Sequence, residues 1–405
     1  MRVTQSTIYQ NISQNISKIT EQLKNVNEQI GSSKRINKPS DDPLGLTHAL
    51  NLKGVLSRIN QYGTNINHSQ TWLQATESSL QSVQELITRA KILANQMSTE
   101  TYNATDRANA AEEVQNIIEQ LVQLGNTQVN GRYIFSGDKD RTAAFGLDFT
   151  INPAVAGPGN NAAYTGTATS SGTYTGLYSK RYVVEITTPG AVGTAEYRVS
   201  EDGGVTWGPN TFTTSLAGPT DVYSDNSRED PPADDQGVHI DFTNSGTLTL
   251  LDRFTIEVSQ YNGDQGDMNI IIGPAAQLKT NVAGDTAFGQ AGDTDNNLFD
   301  ILAGFKNSLQ NNDTLGVQAA LAQLGNAQDN NTSNLADVGS RLNRIEVNKN
   351  MLSELEANNT NRLSGIEDLD IAKASLELNS KQMIFQAALY SAAKVTGLSL
   401  LNYLK

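Results

Sequence analysis

Residues 43–97 read PLGLTHALNLKGVLSRINQYGTNINHSQTWLQATESSLQSVQELITRAKILANQM. Along this stretch apolar or small side chains recur at alternating intervals of three and four residues for about six heptads without a break. The positions are Leu52, Val55, Ile59, Tyr62, Ile66, Ser69, Leu73, Thr76, Leu80, Val83, Ile87, Ala90, Ala94 and Met97. The pattern predicts one long helix with a packed seam. Asp42 before Pro43 is typical of an N-cap with proline at the first helical position.

The same period occurs near both ends of the chain. Residues 7–30 are predicted to form a helix that stops at Gly31, and a second long helix begins near residue 314. The first stripe consists of Ile12, Ile16, Ile19, Leu23, Val26 and Ile30. The second consists of Leu335, Val338, Leu342, Ile345 and Leu352. We therefore predict a mainly α protein in which both termini form a long coiled-coil-like helical bundle.

The last 23 residues are more apolar than a surface helix requires. Their apolar side chains include Leu389, Val395, Leu398, Leu400, Leu401 and Leu404. A stripe of this length is either covered inside the monomer or marks an interface. For the seam over 52–97 both interpretations stand, since other helices of the chain can cover it. For the two terminal stripes we favour an assembly interface, because two helices alone form a thin layer.

A third helix is expected over 106–129, with its apolar face formed by Val114, Ile117, Leu121 and Leu124. Asn130 and Gly131 then predict a tight turn before a short strand over 132–135. These elements together suggest a helical rod that carries a β-hairpin.

The middle of the chain has a different composition. Eight of the ten prolines fall between Lys139 and Val282, where 17 acidic residues stand against 8 basic ones. Short alternating runs predict strands over 182–187, 195–200, 205–207, 238–242 and 254–258, and residues 201–204 are expected to form a hairpin turn. The sequence thus predicts a small antiparallel β domain inserted into the rod.

These patterns divide the chain into three parts. The parts are a terminal helical pair over 1–42 and 363–405, a helical rod with a hairpin over 43–138 and 283–362, and an inserted acidic β domain over 139–282. We expect the rod to keep its fold if the insert is removed, because no terminal seam depends on it.

Composition excludes several functional classes. The formal net charge is -14 and no basic patch is visible, which disfavours nucleic acid and anionic membranes as partners. The absence of cysteine excludes disulfides, thiolate metal sites and cysteine nucleophiles. The first residues lack the apolar core of a signal peptide, and no run approaches the roughly 18 apolar residues of a membrane span. If the protein is exported, we expect export without a cleaved signal.

The sequence contains no convincing catalytic, cofactor or metal site. The three histidines, His48, His68 and His239, do not have the spacing of metal ligands. There is no phosphate-binding loop, and residues 262–267 lack the distal glutamate of a calcium loop, so we interpret them as a solvated turn. We therefore expect a structural protein rather than an enzyme.

Three stretches of the chain resemble the flagellins and the flagellin-like junction proteins of the bacterial flagellum. They are SKRINKPSDDP over 33–43, NGRYIFSG over 130–137, and the carboxy-terminal segments RLNRI over 341–345, IEDLDIA over 366–372 and LSLLNYL over 398–404. The similar regions cover about 260 residues and leave the insert uncovered. The first residues, MRVT over 1–4, resemble the hook-filament junction branch, the third hook-associated protein, more than filament flagellin. The segment over 80–86 also departs from filament flagellins, which generally carry two arginines where this chain has Ser82 and Gln84.

The resemblance implies an architecture and a set of partners. Both termini would pair as an inner layer around the central channel of an extracellular flagellum, in a homo-oligomeric ring. The neighbours would be another hook-associated protein on the hook side and flagellin or a cap on the filament side. Export would proceed unfolded through the flagellar type III apparatus, with a cytoplasmic chaperone on the carboxy-terminal segment.

Two alternatives remain open at this point. The chain could be a filament flagellin, which polymerises indefinitely. The β insert could also act as a carbohydrate or host-surface binding module through Trp207, Tyr197 and Tyr182. We favour the interpretation that these aromatic side chains form the core of the insert itself.

Overall fold

A computed structural model describes residues 5–161, 163–216, 218–222, 236–243, 245–293 and 295–403. Within this part of the chain the fold is mainly α with an inserted antiparallel β domain. The helices are α1 (Gln5–Ser32), α2 (Pro43–Met97), α3 (Ala104–Gly125), α4 (Gly284–Phe288), α5 (Leu298–Gln310), α6 (Thr314–Glu367) and α7 (Ile371–Tyr403). The predicted fold class is thus confirmed.

The strands are short and lie between α3 and α4. They are β1 (Gln128–Val129), β2 (Arg132–Tyr133), β3 (Phe145–Ile151), β4 (Val155–Ala156), β5 (Ala168–Gly172), β6 (Lys180–Thr188), β7 (Gly190–Ala191), β8 (Glu196–Ser200), β9 (Phe212–Thr213), β10 (Thr220–Asp221), β11 (Val238–Phe242), β12 (Thr247–Leu248), β13 (Arg253–Tyr261), β14 (Asn269–Gly273) and β15 (Ala276–Lys279).

The chain forms two compact units. The first comprises Met1–Thr64 and Asn348–Lys405, and the second comprises Asn65–Val347. The first unit therefore holds α1, α7 and the adjoining ends of α2 and α6. The second unit holds the remainder of those two helices, α3, α4, α5 and the β domain.

The seam predicted along α2 is buried where it lies in the second unit. Every seam position from Ile66 to Met97 is buried, and Leu73, Leu80 and Ala94 are completely inaccessible to solvent. The polar seam residues Ser69 and Thr76 each donate a hydroxyl hydrogen bond to a backbone carbonyl oxygen one turn earlier in the helix. This local bonding satisfies them without a partner helix and permits close packing.

The predicted start of α2 is confirmed, whereas the predicted end of α1 is wrong by two residues. Asp42 Oδ1 accepts from the backbone N–H of Gly45 (2.8 Å), and Pro43 is the first helical residue. Gly31 lies inside α1, and the left-handed residue that ends the helix is Ser33, with φ of 54°. Ser33 tolerates this conformation because Leu369 N donates to its carbonyl oxygen, which fixes the backbone beyond the helix.

Helix α3 also differs from its predicted bounds. It begins at Ala104 behind Asn103, whose side chain forms a capping box with Asp106, and it ends at Gly125 instead of Val129. The cause is the hairpin, since Gln128–Val129 pairs with Arg132–Tyr133 around Asn130 and Gly131, whose φ angles are 53° and 76°. Two successive positive φ values define the type I′ turn that Asn-Gly favours.

The β domain is built on a six-stranded sheet in the order β3–β13–β6–β8–β9, with β4 also paired to β13. A three-stranded sheet, β10–β11–β5, contributes to the same core. The predicted strands over 182–187, 195–200, 238–242 and 254–258 correspond to β6, β8, β11 and β13. Residues 205–207 do not form a strand, because Asp202 accepts backbone hydrogen bonds from Val205 and Thr206 and turns the chain.

An aromatic cluster lies where the β domain meets the helices of the second unit. It consists of Phe135, Phe145, Tyr261, Phe288 and Phe299, with neighbouring ring centroids between 4.9 and 5.7 Å apart. A Cβ atom on Gly125 would lie 2.5 Å from the Phe145 ring, so only glycine allows α3 to approach this cluster. Strands β3 and β13 of the insert, which carry Phe145 and Tyr261, are thereby fixed to the helical part.

Candidate functional site: the terminal helices and their junctions

The predicted stripe of α1 faces α7 within the first unit. Val26 is buried, and the other five stripe residues are each about half-buried. Lys381 Nζ on α7 also donates to Gln22 Oε1 on α1 (2.8 Å). The stripe is therefore covered in part by α7, and each of its isoleucines keeps surface that a further helix could bury. The stripe residues that are only partly buried are Ile12, Ile16, Ile19, Leu23 and Ile30.

The carboxy-terminal candidates can be placed only in part. Leu389 is on α7 and is 45% exposed. Val395, Leu398, Leu400 and Leu401 belong to the same helix, and their side-chain surroundings lie outside the described part of the structure. Leu404 lies outside the described residues altogether.

Sequence reasoning missed a second apolar stripe on α7. Leu376, Met383 and Tyr390 are 72%, 65% and 78% exposed, and they are spaced by seven residues. Their face lies away from Ala374, Leu378 and Phe385, which are among the covered positions on the same helix. The seven-residue spacing was readable in the sequence, but the heptad rule alone does not reveal which of two faces the α1 helix covers.

The breaks between the long helices lie side by side in the first unit, although they are far apart in sequence. Arg35 N donates to the carbonyl oxygen of Glu367 (2.7 Å), and Leu369 N donates to that of Ser33 (3.1 Å). Lys34 and Asp368 form the antiparallel bridge between these bonds. The Arg35 guanidinium donates through Nε and Nη2 to the carbonyl oxygen of Ile366, which satisfies an acceptor at the end of α6.

A buried carboxylate lies at the centre of this junction. Glu367 Oε1 accepts from Lys34 Nζ (2.6 Å) and Lys53 Nζ (2.8 Å), and the Glu367 side chain is 9% exposed. Burial acts to raise the pKa of Glu367, but hydrogen bonds from the two lysines overcome it and hold that pKa below its usual value. The hydrogen bond between Lys34 and Glu367 also raises the pKa of Lys34. We call this group, Ser33–Arg35 with Lys53 and Ile366–Leu369, the clasp.

The other chemical candidates show structural roles in the described residues. Within these, no group of three or more histidine, aspartate or glutamate side chains could hold a metal ion. In the loop over 262–267, Asp264 Oδ1 accepts from the backbone N–H groups of Asp138 and Gly266, so this carboxylate serves the turn itself. None of the described helices combines the length and apolarity that crossing a bilayer would require.

The aromatic side chains of the insert divide between core and surface. Tyr182 and Tyr197 are completely buried and belong to the β core. Trp207 is half-buried and lies over the guanidinium of Arg198, 4.3 Å from the ring centroid, with Arg253 at 5.5 Å. Both arginines pair with the buried carboxylate of Glu185. The arrangement fastens the loop over 201–210 to the sheet. The expected core role therefore holds for Tyr182 and Tyr197, whereas Trp207 is not part of the core.

Comparison with known protein families gives two matches. Residues 3–140 match the bacterial flagellin N-terminal helical region, and residues 321–404 match the bacterial flagellin C-terminal helical region. The two matched segments together make up more than half of the chain, and they include the clasp, α1 and α7.

Individual relatives differ in how much of the chain they cover. A flagellin of Clostridium tyrobutyricum is 22% identical over 377 residues, which is 89% of this chain and 90% of that protein. Flagellar hook-associated protein 3 of Salmonella typhimurium is 33% identical over 149 residues, which is 36% of this chain and 46% of that protein. A putative flagellar hook-associated protein from Vibrio parahaemolyticus matches 81% of this chain in structure, with 14% identity and a TM-score of 0.49.

Proposed function

The chain belongs to the bacterial flagellin family, and we propose that it is a structural component of the flagellum that joins the hook to the filament. The observation that carries this proposal is the exposed stripe of Leu376, Met383 and Tyr390 on α7, within the matched carboxy-terminal region. A monomer gains nothing from large apolar side chains in water at regular spacing. Burial of each against a neighbouring subunit would stabilise the contact by about 1.5 to 3 kcal/mol.

The proposed interface combines this stripe with the positions predicted from the sequence. The half-buried α1 stripe would complete its burial against a neighbouring subunit, and the carboxy-terminal leucines would extend the same layer. The predicted interface residues are Ile12, Ile16, Ile19, Leu23, Val26, Ile30, Leu389, Val395, Leu398, Leu400, Leu401 and Leu404. In this proposal 1–42 and 363–405 form the inner layer, 43–138 and 283–362 the rod, and 139–282 the outward insert.

The proposed partners follow from the junction role. Copies of the chain form a ring, which contacts another hook-associated protein on one side and flagellin or a cap on the other. We further propose export without a cleaved signal to the extracellular flagellum, with a cytoplasmic chaperone covering the carboxy-terminal segment. The proposed work is mechanical, in the service of motility, and requires no catalytic group.

A filament flagellin is the second candidate function. The similarity to the Clostridium tyrobutyricum flagellin over 89% of this chain favours it, whereas the 33% identity to hook-associated protein 3 covers 36% of the chain. Ser82 and Gln84, which stand where flagellins generally carry arginine, favour the junction role.

Immunogold labelling of isolated flagella distinguishes the two candidates. We expect a single band of gold at the boundary between hook and filament. Gold along the whole filament would instead identify the chain as a filament subunit. Antibodies raised against the β insert are suitable, because no family match covers residues 141–320.

A further inference from the structure

A cleft of about 540 Å³ lies in the second unit, where the sheet of the insert meets the aromatic cluster. Part of its lining is the face of β13 that points away from the β core, including Glu257. Asp285 of α4 and the rings of Phe145, Tyr261 and Phe299 also line it. Sites for small molecules in proteins usually measure roughly 300 to 1,000 Å³, so this cleft is large enough for an organic ligand.

The carboxylate of Asp285 lies in this lining without a counter-ion. The residue is 8% exposed, and its Oδ2 accepts from the neutral side-chain amide of Gln265. The hydroxyl of Thr286 is 3.4 Å from Oδ1. Within the part of the chain that the structure describes, no lysine, arginine or histidine forms an ion pair with Asp285. A buried carboxylate with only neutral donors keeps much of the cost of leaving water.

The other buried carboxylates of the described residues are compensated in one of three ways. Glu185 and Glu367 each pair with two basic side chains. Asp252 accepts hydrogen bonds from two backbone N–H groups. Burial raises the pKa of Asp300 to about 7, so that its charge is lost below neutral pH. Asp285 has neither basic partners nor two backbone donors, and a cation from outside the chain would compensate it as the arginines compensate Glu185.

The surroundings of Asp285 favour an organic ammonium over a metal ion. Among the described residues no three acidic or histidine side chains come together as metal ligands would. Two aromatic rings instead touch the backbone just before Asp285, since a Cβ atom on Gly284 would lie 2.5 Å from Tyr261 Cε2 and 2.8 Å from Phe145 Cζ. A carboxylate beside aromatic rings attracts an ammonium group by both charge and cation–π interaction. Two basic and three acidic side chains line the whole cleft, which also favours a cation.

We propose that this cleft binds an alkylammonium group, with Asp285 as its counter-ion. The ammonium pairs with the carboxylate and lies against the rings of Tyr261 and Phe145. The amide side chains of Asn152 and Gln290, which line the same cleft, are available to polar groups in the rest of the ligand. A lysine side chain and a free linear diamine share this chemistry. The proposal does not depend on the flagellar role, since it concerns a cleft within one chain.

Isothermal titration calorimetry of the full-length chain tests the chemistry, with cadaverine as the diamine, pentanediol as its uncharged analogue, and N-acetyl-lysine methylamide as the lysine side chain. At constant ionic strength we expect one site per chain, with binding of the amines about tenfold or more tighter than that of the diol. Tighter binding of the lysine derivative would indicate a lysine of a protein partner as the natural ligand. Tighter binding of cadaverine would indicate a free amine.

Two substitutions of equal charge separate the site from general electrostatics. Asp285→Asn keeps the side-chain size and should weaken binding of the preferred amine by about tenfold or more. Asp267→Asn is the matched control, because Asp267 is 51% exposed, pairs with Lys279 and does not line the cleft. We expect this exposed substitution to change binding by less than about twofold.

A third variant supplies the ammonium from the chain itself. Gln265 is exposed and already donates to Asp285, so Gln265→Lys should place its ammonium on the carboxylate, raise the melting temperature and abolish amine binding. Circular dichroism checks that each variant is folded, and Gln265→Lys decides alone if Asp285→Asn unfolds. Absence of binding by both amines, equal binding of the diol, unchanged binding in Asp285→Asn, equal loss in Asp267→Asn, or full binding in Gln265→Lys would each overturn the proposal.

Discussion

Asp300 lies in the first turn of α5 and connects that helix to the β domain. Its Oδ1 accepts from the backbone N–H of Ser179 (2.7 Å), and its Oδ2 is buried without a hydrogen-bond partner. Burial raises the pKa of Asp300 to about 7, although the bond from Ser179 opposes the shift. The sequence could not predict this, because Ser179 is 121 residues away and a polar residue near a helix start is ordinarily a solvated cap.

The raised pKa of Asp300 predicts a specific pH dependence of stability. The folded chain keeps a proton on Asp300 that the unfolded chain releases near its usual pKa of 3.8. The free energy of unfolding should therefore fall between about pH 4 and pH 7, by at most about 1.4 kcal/mol per pH unit, and then level off. Asp300→Asn should remove this decline, so that its stability relative to the parent rises across the same window.

Urea unfolding of the parent and of Asp300→Asn at pH 4.5, 6 and 8 measures this difference. Asp148→Asn serves as the control, since Asp148 is an exposed carboxylate on β3. A constant difference between Asp300→Asn and the parent at all three pH values would contradict the assignment. So would an equal pH dependence in the control.

At the scale of elements, the sequence predicted the helices better than the strands. The seam of α2 was predictable because a repeat of three and four residues from Leu52 to Met97 admits one local structure. Strands β4, β7, β9, β10 and β12 have two residues each, too few for any alternation to show. Residues 205–207 have the composition of a strand, but the Asp202 side chain organises them into a turn. Of the two apolar stripes on the terminal helices, the sequence pattern predicted the one on α1 and did not reveal the exposed one on α7.

The aromatic cluster determines how the insert can be removed. Phe145 and Tyr261 lie opposite each other on β3 and β13, inside the predicted insert over 139–282, yet they pack against Phe288 and Phe299 of the helical part. Deleting 139–282 would thus remove two rings from this cluster, at a cost of about 3 to 5 kcal/mol for each truncated ring. Deleting 147–259 keeps both, and joins them through Gly146 and Gln260.

We expect the 147–259 deletion to unfold at nearly the temperature of the parent helices and the 139–282 deletion to unfold at a clearly lower one. The shorter deletion leaves a two-residue connection with glycine first, which is the sequence favoured in a type II′ hairpin turn. Thermal unfolding followed by far-ultraviolet circular dichroism measures both. Equal melting of the two deletions would show that the aromatic cluster does not support the helical part.

At the scale of the whole molecule, the two units differ in how completely they bury their apolar side chains. The second unit buries its seam, its β core and its aromatic cluster within one chain. The first unit pairs two helices by half-buried stripes and leaves a row of large apolar side chains in water on α7. Substitutions on that row should therefore affect assembly and spare the fold of the monomer.

The last prediction uses this separation. Met383→Asp with Tyr390→Asp places two charges on the exposed stripe, where both side chains are more than 60% exposed in the monomer. The helical signal and melting temperature of the purified chain should be unchanged. In cells with this variant as the only copy, we expect hooks to form and flagellin to be shed unpolymerised, because each subunit contact loses several kcal/mol of apolar burial and must also desolvate a charge. Leu147→Asp with Leu250→Asp is the matched control, since these leucines are exposed on the β insert. Normal filaments in the α7 variant, or equal shedding in the control, would reject the assembly role of this stripe.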